Sequence, residues 1–434
     1  MTDAIVIGSG PDELAAAHQL LRAGRSVIVV QEHAPQTHTD GWVPRAISMP
    51  GVVVEQLDPW LRAVLPGGGT LELWQDVRRS ADAIRRLSPR DADKWPDFCD
   101  RMARLAALLE ELYLAPPPSL VDLRFALKIR RLGRIGMEDL MRVLPMPVAE
   151  LLDDCFESDA LKGALGALAV RDLQQGPRSA GTAFRLLHFH VGNPPGVFRP
   201  PRSNYVQLAR SGLDIREGCV RRINVRAGEA TGVTLDSGEL GARFVISGAD
   251  PKRTLVDLVE PGWLDPDLAR AVRHIRSRGV TAHLDLELER TPEWKTLTLA
   301  PSLDYVERAY DDAKYRRISA QPCIDAVADG ARVHARVQYV PHGGQGEISA
   351  KPLERYMPAI TRMTVRMAGG WPEGQPHHAE LSLDQALWMR PLPELSDYRT
   401  PIKGLWLCGP AMHPGAGVAG ASGYNCAKAL LRDL

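Results

Sequence analysis

The sequence predicts an α/β fold in which a dinucleotide-binding, Rossmann-like domain carries an inserted α+β domain. Three features predict it: a strand–glycine turn–helix–strand unit over residues 4–32, a second strand–glycine–helix element over residues 405–434, and strand patterns between them. A strand that ends in a glycine turn and continues as a helix presents backbone N–H groups to a dinucleotide pyrophosphate. Two such elements in one chain are more specific than either alone.

The first unit opens the chain. Residues 5–7 (IVI) are a short apolar run typical of a buried parallel strand, and an alanine-rich helix follows and stops at Gly24. Residues 27–30 (VIVV) form the second strand. Between the first strand and the helix, Gly8 permits a tight turn and Gly10 lets the backbone approach a phosphate closely.

This fingerprint departs from G-x-G-x-x-G and its acidic partner at two places. Glu13 stands where the third glycine is expected, and a carboxylate beside a pyrophosphate opposes binding unless it points away. The acid that binds the ribose should close the second strand, but Gln31 stands there and Glu32 follows one residue late. The residues therefore predict the fold unit and leave open whether its phosphate site works.

The composition of the chain argues against a nucleic-acid-binding protein, a zinc protein and a membrane-spanning protein. The 434 residues carry 53 basic and 53 acidic side chains, so the chain has no net positive charge that would favour binding to nucleic acid. The six cysteines are scattered without zinc-ligand spacing, which predicts reduced thiols and no metal site. The chain starts almost at its first strand and has no apolar run of about 18 residues, so we expect a soluble, cytoplasmic protein without a targeting peptide.

Residues 79–165 are predicted to be mostly helical. Ser88 and Pro89 form a helix N-cap followed by a first-turn proline. Residues 123–135 mix basic and apolar side chains, which fits either peripheral contact with a membrane surface or a basic helix packed on its own domain. The second interpretation is favoured because the segment is short and has no tryptophan anchor.

Sheet patterns follow in the second half of the chain. Residues 213–247 have the pattern of a β-meander with glycine turns, and residues 283–289 and 331–340 alternate like half-buried strands of a second sheet. His188 and His190 would share one face of a strand but would diverge on a helix. They are interpreted either as part of a pocket wall or as half-buried structural histidines.

Several segments carry a more specific pattern: GSGPDELAAA, FESDALKGALGALAV, GPRSAGTAFRLLHFHVG, ISGADPKRTLVDLVEP and GLWLCGPAMHPGAGVAGASGYNCA. In these segments the sequence resembles the FAD-dependent phytoene-desaturase-like oxidoreductases, in the branch that contains pyridine nucleotide-disulfide oxidoreductase domain-containing protein 2. The resemblance covers nearly the whole chain. It implies a GR2-type FAD-binding fold with an inserted substrate domain. The FAD-binding domain would be discontinuous, over 1–75, 205–260 and 395–434, and the substrate domain (a helical segment plus an antiparallel sheet) would cover 76–204 and 261–394.

The resemblance also implies positions for FAD. The glycine turn would bind the pyrophosphate, the backbone of Val220 would bind adenine, and the last glycine-rich turn would lie along the ribityl chain and the isoalloxazine ring. The predicted cofactor-binding residues are Gly8, Gly10, Pro11, Gln31, Glu32, Val220, Gly409, Pro410, His413, Pro414, Gly417, Val418 and Asn425.

Departures from the family concentrate on the adenosine and pyrophosphate half of the site. Besides Glu13 and Gln31, residues 33–36 (HAPQ) replace a glycine pair, and the region 345–375 is shortened. The part that would face the flavin ring, residues 409–425, is intact. The sequence is therefore that of a divergent, shortened relative.

Two functions of different classes are compatible with these residues. The first is an FAD-dependent oxidoreductase that transfers hydride from a lipophilic small molecule to flavin, with His413 as the candidate catalytic residue or as a structural histidine of the turn. The second is a flavoprotein-fold protein that has lost FAD and acts as a binding or partner protein, or as a cofactor-free isomerase or lyase. The resemblance further implies a homodimer or a partner protein.

Overall fold

The structure is a computed structural model that describes residues 2–32, 38–47, 49–117, 133–205, 212–368 and 379–434. Its strands are β1 Thr2–Ile7, β2 Val27–Gln31, β3 His38–Asp40, β4 Val53–Glu55, β5 Leu61–Val64, β6 Thr70–Leu73, β7 Arg202–Asn204, β8 Asp214–Glu217, β9 Val220–Arg226, β10 Glu229–Leu235, β11 Gly238–Ser247, β12 Thr281–Leu288, β13 Thr296–Leu299, β14 Ile324–Asp329, β15 Arg332–Gln338, β16 Ile360–Ala368 and β17 Leu405–Leu407. Its α-helices are α1 Pro11–Arg22, α2 Val77–Arg85, α3 Pro89–Tyr113, α4 Gly133–Val143, α5 Val148–Cys155, α6 Asp159–Ala169, α7 Thr182–His190, α8 Pro266–His274, α9 Leu303–Lys314, α10 Lys351–Glu354 and α11 Ala421–Arg432. Short turns of π- or 3₁₀-helix cover Arg253–Asp257, Pro261–Trp263, Leu383–Gln385, Leu387–Met389 and Pro393–Leu395.

The first sheet has the order β8-β2-β1-β11-β10-β9, with β17 beside β11. β1 lies between β2 and β11 and runs parallel to both, with Ile5 opposite Ile28 and Val245. These apolar side chains are buried, as expected for parallel strands covered on both faces. β9, β10 and β11 form the predicted antiparallel meander. The predicted Rossmann-like α/β class is therefore confirmed.

The second sheet has the order β16-β12-β15-β14-β13-β5-β6. It contains the two strands predicted near 283–289 and 331–340, which pair with each other as antiparallel β12 and β15. β5 and β6 lie within the segment 1–75 predicted for the FAD-binding domain, yet they pair in this sheet, where Ala63 of β5 is opposite Thr298 of β13. This stretch of the first segment therefore joins the inserted sheet.

The region predicted to be mostly helical contains α3, which packs against α2, α5 and α7. α3 begins as predicted, because Ser88 Oγ accepts a hydrogen bond of 3.1 Å from the backbone N–H of Asp91 and Pro89 occupies the first turn. Aromatic side chains of α3 and its neighbours form a buried cluster with ring centroids 5.0 to 6.2 Å apart: Trp60, Trp95, Phe98, Phe156 and Phe198. This cluster fixes α3 and hence the position of its C-terminal end.

Two predicted features fall wholly or mostly outside the described residues. Residues 33–36, which replace the glycine pair of the family, are among the undescribed ones, and so is most of the basic segment 123–135. Within the described ranges, no helix combines the length and the apolar character that crossing a bilayer requires.

Candidate functional site

The N-terminal glycine turn lies where the sequence predicts it. β1 ends at Ile7, Gly8 follows with a φ of +105°, and α1 starts at Pro11 with Gly10 at its N-cap. A φ of this sign favours glycine because a Cβ would be strained there. The first turn of α1 therefore lies at a groove at the carboxyl end of the parallel strands, where the backbone N–H groups of Gly10 and Glu13 hydrogen-bond the Glu13 carboxyl group.

The C-terminal element closes the same groove. β17 pairs in parallel with β11, and Gly409 follows it with a φ of +90°. α11 packs on α1 so closely that a Cβ placed on Gly423 would overlap the carbonyl oxygen of Asp12. The two glycine turns, from opposite ends of the chain, meet at one groove.

Glu13 fills the space between Gly8, Gly10, Gly248 and Gly409, which we call the four-glycine cradle. A Cβ placed on Gly10 would lie 2.5 Å from Glu13 Oε2, and one placed on Gly409 would lie 3.0 Å from Oε1. A Cβ on Gly248 would overlap the same carboxyl group. Glu13 is only 4% exposed. Its side chain therefore stands in the place that the glycine fingerprint leaves open for a pyrophosphate.

Burial favours the neutral form of the acid in the cradle. Burial, and then the neighbouring Asp12, raise the pKa of Glu13 from 4.5 to about 8. Burial also raises the pKa of Asp12, to about 7, although backbone N–H groups in the first turn of α11 oppose the change. A neutral carboxyl group can occupy a dry site that would penalise a carboxylate.

This ionisation predicts a pH-dependent stability. Between pH 4.5 and about 8 the folded chain holds a proton on Glu13 that the unfolded chain releases, so the free energy of unfolding falls as pH rises. The slope is about 1.4 kcal/mol per pH unit for one proton. We expect Glu13→Gln, which keeps the shape and cannot ionise, to make this decline less steep in denaturation midpoints measured from about pH 5 to about pH 8.5, with Asp12 supplying the part that remains below about pH 7. The exposed control Glu347→Gln should leave the slope unchanged, and a Glu13→Gln profile parallel to that of the unmodified protein would contradict the buried acid.

At the adenosine end of the groove, the chain's own side chains also occupy the groups that would contact a ligand. Glu32 Oε1 accepts a hydrogen bond of 2.8 Å from the backbone N–H of Val220, the group that the resemblance assigns to adenine. Arg253 Nη2 lies 2.9 Å from both carboxylate oxygens of Glu32. Gln31 closes β2 and lies opposite Glu217 of β8. Glu32 lies one residue beyond the position expected for the ribose-binding acid. Its carboxylate instead links the end of β2 to the start of β9.

At the flavin end, the last turn of α3 contacts the residues predicted to line the ring. Asn425 Nδ2 donates a hydrogen bond of 2.9 Å to the carbonyl oxygen of Tyr113, and His413 Nε2 lies 3.1 Å from the carbonyl oxygen of Leu112. The ring centroids of Tyr113 and His413 are 5.7 Å apart. The C-terminal end of α3 therefore covers this part of the groove.

The histidines near this end are neutral and tied to neighbouring groups. Burial lowers the pKa of His413 to about 4 and that of His188 to about 3, the latter also because of the charge on Arg185. His188 Nδ1 is 2.8 Å from the hydroxyl of Tyr113, and its Nε2 is 2.7 Å from the carbonyl oxygen of Ala416. His190 diverges from it on helix α7 and contacts the carbonyl oxygen of Val197. These geometries favour structural histidines.

The other predicted positions lie in the same C-terminal loop. A Cβ on Gly417 would lie 3.2 Å from His188 Nε2, and Val418 pairs with Trp42 in a single β-bridge. Pro414 follows His413 through a cis peptide bond. Pro410 accepts a hydrogen bond at its carbonyl oxygen from Arg390, a fully buried residue that no pattern in the sequence singles out.

Four buried polar atoms in the groove have no hydrogen-bond partner in the described structure: Asp12 Oδ1, Ser422 Oγ, His413 Nδ1 and Asn425 Oδ1. Such atoms are usually satisfied by ordered water. Two cavities lie elsewhere, one of about 230 Å³ beside Trp294 and one of about 20 Å³ beside Arg171, and neither is lined by a residue of the four-glycine cradle. Among the described residues, no cluster of three or more His, Cys, Asp or Glu side chains could hold a metal ion.

FAD does not fit this arrangement. Glu13 occupies the cradle for the pyrophosphate, Glu32 takes the backbone N–H assigned to adenine, and the end of α3 covers His413 and Asn425. All three parts of the predicted site are therefore engaged by the chain's own groups. Binding of FAD would require each of them to move.

Comparison with known proteins places this groove in an oxidoreductase fold. The chain is 26% identical to pyridine nucleotide-disulfide oxidoreductase domain-containing protein 2 of Rattus norvegicus, over an alignment that covers all of this chain and 94% of that protein. The protein of the same name from Mus musculus matches equally well. The chain resembles these proteins over its whole length. The alignment has 549 positions for 434 residues, so this chain lacks segments that the relatives carry.

A more distant relative is one of the subunits of limonene dehydrogenase from Castellaniella defragrans, which is 22% identical, with all of this chain and 95% of that protein covered. Among solved structures, a redesigned putrescine oxidase superimposes with a TM-score of 0.62 at 14% identity, covering all of this chain and 99% of that one. Cyclohexylamine oxidase from Brevibacterium oxydans gives a TM-score of 0.53 at 15% identity, with coverage of 100% and 99%. No protein-family model matches the chain.

These findings confirm the predicted resemblance and fold class. The structural neighbours are oxidases at low identity, so they establish the fold alone. The flavoprotein-type architecture is thus retained over the full chain. The groove in which such a fold would hold its cofactor is filled by the chain's own residues.

Proposed function

We propose that this chain keeps an oxidoreductase fold without using it to hold FAD, and that it works as a binding or partner protein. The observation that carries the proposal is the carboxyl group of Glu13 in the four-glycine cradle. A dinucleotide needs this cradle because glycines let the backbone approach its pyrophosphate. In this chain the side chain of Glu13 fills the same volume and packs against the glycine turn.

The histidines support a binding role over a cofactor-free isomerase or lyase. General acid–base catalysis needs a group whose pKa lies near the working pH and which can reach a substrate. Burial moves the pKa of His188 and His413 to about 3 and about 4, far below neutrality. Both ring nitrogens of His188 already contact Tyr113 and Ala416. His188, on α7, contacts the last glycine-rich loop at Ala416, and His413 connects that loop to α3, so both act as structural groups.

The proposal of a partner protein also draws on the relatives. One of them is named as part of a multi-chain dehydrogenase, so a chain of this fold can work within an assembly. A fold whose cofactor groove is internally filled can be retained for its surface and its packing. The competing function, an FAD-dependent oxidoreductase acting on a lipophilic molecule, requires Glu13, Glu32 and the end of α3 to leave their positions.

The test is the response of the melting temperature to FAD. A ligand present at a hundred times its Kd adds about 2.7 kcal/mol to the free energy of unfolding. We expect no shift for the unmodified protein or for Glu13→Gln, because both keep the cradle filled. Glu13→Gly empties the cradle, so any response to FAD should be confined to this variant. A shift in the unmodified protein would contradict the proposal.

A further inference from the structure

β16 is the outermost strand of the second sheet. It is nine residues long and pairs on one side with β12, while no strand of the described chain lies on its other side. Residues 361–366 are all exposed. A long exposed edge presents a row of backbone donors and acceptors to another strand.

The backbone of β12 shows which groups of β16 are free. The Leu288 N–H donates to the carbonyl oxygen of Ala331 beside β15, whereas the Glu289 N–H donates to that of Ala359 on the β16 side. Alternate residues of a strand point their backbone groups to opposite sides. In the observed register, the groups that point away from β12 therefore belong to Met363, Val365 and Met367.

The same strand has one apolar and one polar face. Val365 lies opposite Leu284 and Met363 opposite Leu286, so their side chains extend the buried face of the sheet, yet they remain 39% and 44% exposed. On the other face, Arg366 is paired with Asp285 at 3.0 Å. The strand has no proline or lysine, two residues that commonly protect an edge. Its charged side chains, Arg362 and Arg366, lie on the polar face, and the irregularity in its pairing with β12 is confined to its start near Ile360.

We propose that β16 of two copies of this chain pair antiparallel about a two-fold axis at Val365, joining their second sheets into one. In this register Val365 meets the partner's Val365, and Met363 meets the partner's Met367. Arg366 then lies opposite the partner's Thr364. Centring the axis on Thr364 instead would place Arg362 opposite the partner's Arg366 twice, which like-charge repulsion disfavours.

A second copy is the occupant that these features fit. The apolar face of β16 is complementary to itself in the Val365 register, as the shared patch of a two-fold interface must be. The chain has a formal net charge of zero, so two copies approach without long-range repulsion. The pairing is independent of the cofactor groove, because β16 lies in the other sheet.

The test uses the full chain in sedimentation or light-scattering measurements. Val365→Pro removes an N–H that points away from β12, so the internal ladder stays intact while pairing at the edge is blocked. We expect the unmodified protein and Val365→Thr to be dimers, and Val365→Pro to raise the dimer Kd at least about tenfold. A monomeric unmodified protein, or a Val365→Pro dimer of unchanged Kd, would overturn the proposal.

A cross-linking variant keeps the test informative if Val365→Pro fails to fold. Directly opposite hydrogen-bonded residues have Cα atoms about 5.5 Å apart, within the range of a disulfide. Val365→Cys should therefore oxidise to a covalent dimer. Thr364→Cys, its exposed neighbour, lies opposite the partner's Arg366 and should not. Equal cross-linking of the two variants would overturn the register.

Discussion

Replacing Arg390 by methionine is expected to lower the free energy of unfolding by about 3–5 kcal/mol. The guanidinium group is fully buried, and burial together with Arg185 lowers its pKa only to about 9, so it stays charged at neutral pH. It donates hydrogen bonds to five backbone carbonyl groups, those of Ala379, Glu380, Gln385, Pro410 and Met412. Methionine fills part of the volume but removes a donor from each of these buried carbonyl groups, of which that of Glu380 keeps a hydrogen bond from Gln385 Nε2.

Urea denaturation measures this effect, with Arg85→Met as the matched control. Arg85 is half exposed and forms a 3.0 Å surface ion pair with Asp93, so its loss should cost under about 1 kcal/mol. The two variants remove the same charge from the same chain and differ only in burial and partners. If Arg390→Met costs no more than Arg85→Met, the segment 379–390 is not held to the last glycine turn through Arg390.

Gly248→Ala is expected to destabilise the protein by about 1–3 kcal/mol, and removing the Glu13 side chain should relieve most of that loss. Gly248 follows β11 and does not have a positive φ, so alanine is compatible with its backbone. Its added Cβ would overlap the Glu13 carboxyl group. The cost of the substitution is therefore steric and depends on where Glu13 lies.

A double-mutant cycle separates this contact from general effects. The loss caused by Gly248→Ala should be large with Glu13 present and small in the Glu13→Ala background. Gly241→Ala, within β11, is the control, because its Cβ would have Thr231 O at 3.8 Å as its nearest neighbour. Additive losses for Gly248→Ala and Glu13→Ala would mean that Glu13 does not occupy the cradle.

The sequence predicts the scaffold of the site because the scaffold depends on local patterns. The apolar run before Gly8, the alanine-rich helix after Gly10 and the strand that meets Gly409 each set their own structure within a few residues. The alternation at 283–289 and 331–340 likewise predicts β12 and β15. Parallel pairing then brings the two glycine turns to one edge of the sheet.

The filling of the groove was not predictable in the same way, because it depends on contacts between distant parts of the chain. Glu13 is a visible departure from the fingerprint, but whether its carboxyl points into or away from the cradle is decided by packing against Gly248 and Gly409. The approach of Tyr113 to Asn425 joins residues 312 positions apart. Arg253 lies within a segment that carries the resemblance, but the sequence around Arg253 or Arg390 does not predict which groups either of them hydrogen-bonds.

Closure of the groove by the chain's own groups can be checked by native mass spectrometry of the freshly purified full-length protein. Gentle ionisation preserves tightly bound cofactors, so the mass per chain shows whether one is present. We expect the mass of the polypeptide alone, both as purified and after incubation with FAD and removal of the excess. A population that retains one FAD per chain would contradict the closed groove.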